Sequence, residues 1–214
     1  MPTIFEAKAG ENSIQYFHYS MVRFYLDQSF EYAIKAKEGH IENTLQANTI
    51  IAIVFAAMAL EAFVNEIADG LIDKEELDHF IRLRKGYHKP AGVSSLVYKI
   101  NIVIEKTNGS SLSPELNKRV ENLVDLRNNM SHYKMSELTG KRILPPMRKT
   151  TLPNGEAFTT IDFMVEPIQV LPPFIAKVTA KAAVESFNTA LAVLGYWGKA
   201  RGVENVVPGL QEIA

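Results

Sequence analysis

From Ile50 to Leu60 every side chain is apolar, and the run continues to Val64 with Glu61 as its single polar interruption. A helix made of such a run is apolar nearly all round, so it has to be covered on several sides. The run falls short of the roughly 20 residues that a membrane span needs. The expectation is therefore the central helix of a helical core, with no membrane partner. Residues 1–10 carry Glu6 and Lys8 and have no apolar centre, which argues against a secretory signal. Cysteine is absent from the 214 residues, so disulfides, thiolate nucleophiles and zinc–thiolate sites are excluded. The cytoplasm is the expected location.

Other long helices should surround the apolar run. Ser13 to Lys37 has no proline or glycine, and Ile14, Phe17, Met21, Phe24, Phe30 and Ile34 recur at three- and four-residue steps or their multiples, a helical pattern. The central helix is expected over Ile41–Ala68, closed at Asp69-Gly70. Asp73 is placed to cap a third helix reaching about Lys85, with Glu75 and Glu76 favourable at its positive end. Ser94 or Ser95 opens a fourth helix to Lys106. Ser113-Pro114-Glu115 combines a capping hydroxyl, a proline at the first helical position and an acid, and opens a fifth helix to about His132.

A different composition follows. Six prolines fall between Arg142 and Pro173, together with a Pro153-Asn154-Gly155 turn and the β-favouring run Phe158–Val165. These features point to a β-hairpin or extended arm. Phe174 to Trp197 returns to helix, and the tail after Gly198 is expected to be loosely held. The predicted fold is all-α: one domain over 1–214, an up-down bundle of about five or six helices formed by 13–135 and 174–198, and a small β-hairpin insertion at 142–173 before the last helix.

The chemically loaded segment is Arg127-Asn128-Asn129-Met130-Ser131-His132. Leu116, Val120, Leu123 and Met130 form the predicted core stripe of the fifth helix, and Arg127 falls on the same spacing. A guanidinium keeps its charge, so that position requires an acidic partner or a cleft. His132 lies about 140° round an ideal helix from Arg127 and about 7.5 Å along it, whereas Asn128 shares the face of His132. These residue types suit RNA cleavage without metal. A histidine can take the proton of a ribose 2′-hydroxyl or protonate the leaving oxygen. Arginine can neutralise charge building on the phosphoryl oxygens, and asparagine can orient the imidazole.

Arg127, followed by Asn128 and separated by four residues from His132 near the end of a helix, resembles the defining motif of the HEPN family (higher eukaryotes and prokaryotes nucleotide-binding). Ala59-Leu60-Glu61-Ala62-Phe63-Val64-Asn65-Glu66 is similar to the leucine–glutamate–aromatic signature of the family's corresponding helix. The resemblance covers residues 13–135 and the last helix; the β-rich insertion departs from it. It implies a helical bundle that homodimerises and brings two Arg–His motifs into one cleft. The implied activity is metal-independent endoribonuclease action on RNA, in a toxin–antitoxin or phage-defence setting with an antitoxin or other regulatory protein. A non-catalytic scaffold that binds nucleotides or proteins is the alternative. Arg127, Asn128 and His132 are the candidate catalytic residues; Lys134, Arg142 and Tyr133 are candidates for substrate contact.

Structural explanations stand beside these. Arg127 can pair with Glu61 to tie two helices together, and a lone acid in an apolar helix usually satisfies a buried cation. His132 can simply favour the negative end of its helix. The basic clusters Arg82, Arg84, Lys85, His88, Lys89 and Lys134, Lys141, Arg142, Arg148, Lys149 can be solvated loops. With a net charge of −1, any RNA contact must be local. His18, His40, His79, His88 and His132 contain no pair at metal-binding helical spacing, and neither a metal nor a cofactor is expected.

Overall fold

A computed structural model describes residues 4–6, 14–16, 20–39, 46–132, 138–160, 165–203 and 206–214. The chain is mostly helical, with seven helices among the described residues and small two-stranded antiparallel sheets. The central helix α2 spans Ala47–Leu71. It packs against α1 (Met21–Glu38), α4 (Ser95–Asn108), α5 (Pro114–Ser131) and α7 (Ala180–Lys199). Its 25 residues make it long and apolar enough to cross a membrane by length and composition, more than the expected run suggested. Here its residues Ala52, Ile53, Ala56, Ala57, Leu60, Phe63 and Val64 are buried in the core.

The first helix starts later than expected. Ile14–Tyr16 is not helical but forms a strand, β2, antiparallel to β1 (Ile4–Glu6); Ser13, Phe17 and His18 lie outside the described residues. A distant carboxylate defines the start of α1. Glu66 on α2 accepts hydrogen bonds from the Ser20 hydroxyl at 2.9 Å, the Met21 N–H at 2.7 Å and the Val22 N–H at 3.2 Å, which satisfies otherwise orphaned donors. The buried stripe also differs. Val22, Leu26, Ser29, Ala33 and Ala36 face inward, while Met21 and Phe24 are exposed. Small residues let α1 lie close to α2, and the buried Ser29 hydroxyl donates to the Ala52 carbonyl at 2.9 Å.

The central helix begins at Ala47 rather than Ile41 (residues 40–45 lie outside the described residues) and runs through Gly70. Helix α3 covers Lys74–Ile81 only. Leu83 and Lys85 take left-handed backbone with φ of 51° and 40°, so the helix cannot reach Lys85. Asp73 stands at its N-cap, but its carboxylate makes no capping bond. The next two helices keep their expected starts: Ser94 Oγ accepts from the Val97 N–H at 3.2 Å and Ser113 Oγ from the Leu116 N–H at 3.3 Å. Gly109, with φ of 72°, closes α4.

The insertion is a paired arm. Strand β3 (Lys141–Ile143) pairs with β6 (Ile168–Val170), and β4 (Arg148–Thr151) with β5 (Ala157–Thr160); every strand residue is exposed. Of the run Phe158–Val165, residues 158–160 belong to β5, whereas 161–164 lie outside the described residues. The last helix is two pieces, α6 (Pro173–Lys177) and α7, because Thr179 leaves the helical path and its hydroxyl caps the Ala182 N–H at 3.2 Å. The tail is held rather than loose. Asn188 brackets Ile213 with two hydrogen bonds of 2.9 Å, and Lys37 Nζ donates to the Ala214 carbonyl at 2.5 Å.

Candidate functional site

Leu116, Val120, Leu123 and Val124 turn α5 toward the core. Met130, expected in that stripe, is only half-buried, packed against the edge of the core. One turn beyond Leu123, Arg127 meets α2: its Nη2 donates to Glu61 Oε1. The pair is open to solvent, with 31% of the Arg127 side chain and 45% of Glu61 exposed, so its net contribution is about 0–1 kcal/mol.

Both partners line a cleft of about 520 Å³ bounded by α2, α4, α5 and the loop after α3. Asn128 lines it as well, and its amide has no hydrogen-bond partner among the described residues. The opposite wall brings Lys89, Ser94, Ser95 and Lys99. Lys99 Nζ donates to the Ile81 carbonyl at 2.6 Å, and Lys89 Nζ to the Val93 carbonyl at 2.6 Å. Burial pushes the Lys99 ammonium below the usual lysine range, and the nearby Glu61 charge partly offsets this. Comparison of the chain with known protein families, curated proteins and solved structures finds no match.

His132 is the C-cap of α5; its N–H donates to the Asn128 carbonyl at 2.9 Å. It is exposed, its ring makes no hydrogen bond among the described residues, and it does not line the cleft. Within one chain the fold thus brings together Arg127, Asn128 and Glu61 and leaves His132 at the end of the same helix. Arg142 lies on β3, exposed and opposite Gln169, and Tyr133 and Lys134 lie outside the described residues. Of the basic cluster at 82–89 only Lys89 reaches the cleft, and Arg82 pairs with Asp78 at 2.9 Å. Lys141, Arg148 and Lys149 stand exposed on the arm. Among the described residues no group of three or more His, Asp or Glu side chains could hold a metal ion.

Lys99, absent from the sequence-based expectations, carries a usable signal in the sequence. A cation on the spacing of an apolar stripe, the feature that marks Arg127, also marks Lys99, three residues after Leu96 and four before Val103.

Proposed function

We propose that this chain is a HEPN-like, metal-independent endoribonuclease that works as a homodimer of up-down helical bundles in the cytoplasm. The observation that carries the reading is Arg127 and Asn128 side by side on the wall of an open cleft, with exposed His132 ending the same helix. An arginine so placed reaches a phosphodiester as a fixed cation. The ribose 2′-oxygen attacks the adjacent phosphorus, forming the 2′ O–P bond as the bond to the 5′-oxygen breaks. One proton leaves the 2′-oxygen and one reaches the departing 5′-oxygen. His132 serves one of these transfers, and Arg127 stabilises the phosphoryl charge while Asn128 orients substrate or imidazole. The products are a 2′,3′-cyclic phosphate and a 5′-hydroxyl. Tyr133, Lys134 and Arg142 contact the strand, and an antitoxin or similar protein regulates the activity in a toxin–antitoxin or phage-defence setting.

The distance round the helix between Arg127 and His132 makes dimerisation part of this reading, since a second chain has to bring its histidine to the cleft. Incubation in EDTA with an RNA oligonucleotide and with its all-2′-deoxy counterpart tests the chemistry. The reading expects cutting of RNA to cyclic phosphate ends and an intact deoxy strand. Cutting of both strands refutes it, because the nucleophile would not be the 2′-hydroxyl.

A second reading is a non-catalytic nucleotide- or protein-binding scaffold. It is favoured by the Arg127–Glu61 ion pair, which joins α5 to α2, and by the position of His132 outside the cleft.

A further inference from the structure

The wall of the cleft opposite Arg127 has chemistry of its own. Lys99 and Lys89 reach it from α4 and from the loop before it, so with Arg127 the lining holds, among the described residues, three cations against one carboxylate, Glu61. Each lysine gives one hydrogen bond to a backbone carbonyl. An ammonium has three donors, so each keeps two for a ligand while the carbonyl fixes its place. The first N–H groups of a helix have no carbonyl within the helix to receive them. Ser94 Oγ takes that of Val97, and Ser95 and Leu96, whose N–H groups come before it, line the cleft.

We propose that this wall is a phosphate-binding subsite, held by Lys99 and Lys89 and completed by the Ser95 hydroxyl and the first turn of α4. A tetrahedral oxyanion suits it for three reasons. Acceptors on every side of the ligand can use donors arriving from several directions. The positive end of α4 adds to the lysine charge. A phosphate also adds to the partial counter-charge that Lys99 receives from Glu61, whose carboxylate is hydrogen-bonded to Arg127. The ligand is a phosphate group carried either by a nucleic-acid backbone, as a diester, or by a free nucleotide, as a monoester. The subsite shares its cleft with the nuclease reading, and phosphate binding is measured apart from RNA cleavage.

Calorimetric titration of the full chain with inorganic phosphate at constant ionic strength tests the inference. Wild type, Lys99→Met and Lys89→Met are compared, each first shown to be folded by circular dichroism. Methionine keeps the apolar stem of lysine without its charge, so both variants should fold. The expected result is saturable binding to wild type, weakened about tenfold in either lysine variant, as loss of a charge-assisted hydrogen bond implies. Absence of saturable binding to wild type, or equal affinity in Lys99→Met, overturns the subsite. Binding without RNA cleavage by wild type would keep the subsite and remove the nuclease reading; cleavage without phosphate binding would do the reverse. Titration with adenosine 5′-monophosphate and with the diester ApA separates the two sources: tighter monoester binding indicates a free nucleotide, tighter diester binding a nucleic-acid backbone.

Discussion

Arg127 and Lys99 solve one problem in different ways. Each is a cation on the spacing of its helix's apolar stripe, and each needs a counter-charge or a carbonyl. Arg127 takes the Glu61 carboxylate; Lys99 takes the Ile81 carbonyl and stays partly desolvated. Glu61 therefore competes with any anion for Arg127. Glu61→Gln should raise phosphate affinity several-fold while changing stability by no more than about 1 kcal/mol, the scale of a solvent-open pair; titration and thermal melts check both, and weaker binding would contradict the competition. The lowered proton affinity of Lys99 has a definite sign. Above the folded-state value and up to the ordinary 10.5, the unfolded chain holds more protons than the folded one, so stability contributed by this residue rises with pH. The unfolding free energy of Lys99→Met should exceed that of wild type near neutrality, and the gap should narrow as pH climbs through that window. A gap that does not change with pH would show that Lys99 carries no such strain.

Which elements were legible in the sequence depends on how local their determinants are. Helices α4 and α5 start where expected because their caps, Ser94 and Ser113, sit next to the first turn. The start of α1 was not legible because its cap is Glu66, more than forty residues away in another helix. The buried stripe of α1 was missed for a related reason: Ser29, Ala33 and Ala36 are buried for close approach to α2, and small size leaves little trace in a hydrophobic pattern. The hold on the tail is not legible in its own residues, because its anchors Lys37 and Asn188 lie on helices distant in sequence. Gly198 shows how tightly that tail closes. A Cβ there would overlap a Val206 methyl and stand 3.1 Å from the Val203 carbonyl. Gly198→Ala should cost about 1–3 kcal/mol, the usual range for overpacking, and speed proteolysis after residue 200. A melting temperature equal to wild type would mean the tail can shift at no cost.

At the scale of the whole molecule, one long apolar helix organises the chain. Burying α2 requires neighbours on several sides, and α1, α4, α5 and α7 are those neighbours. Two of them, α4 and α5, border α2 at the cleft, where Glu61 interrupts its apolar surface. The residue that broke the run in the sequence is thus the one that pairs with Arg127 at the candidate site. The arm projects strands whose residues are all exposed. The Arg–Asn–His motif was legible in the sequence because its members are neighbours on one helix; the lysine wall was not, because Lys89 and Lys99 meet Arg127 only through the packing of α4 on α2 and α5. The nuclease account turns on His132, which is exposed, makes no side-chain hydrogen bond among the described residues and can be replaced without disturbing the core. The most direct measurement is the rate at which His132→Ala and wild type cut a mixed-sequence RNA in EDTA, both confirmed folded by circular dichroism. The account predicts that wild type cuts and that His132→Ala is slower by a factor of at least about 100, the low end for losing a general acid or base; equal rates for the two proteins would contradict it.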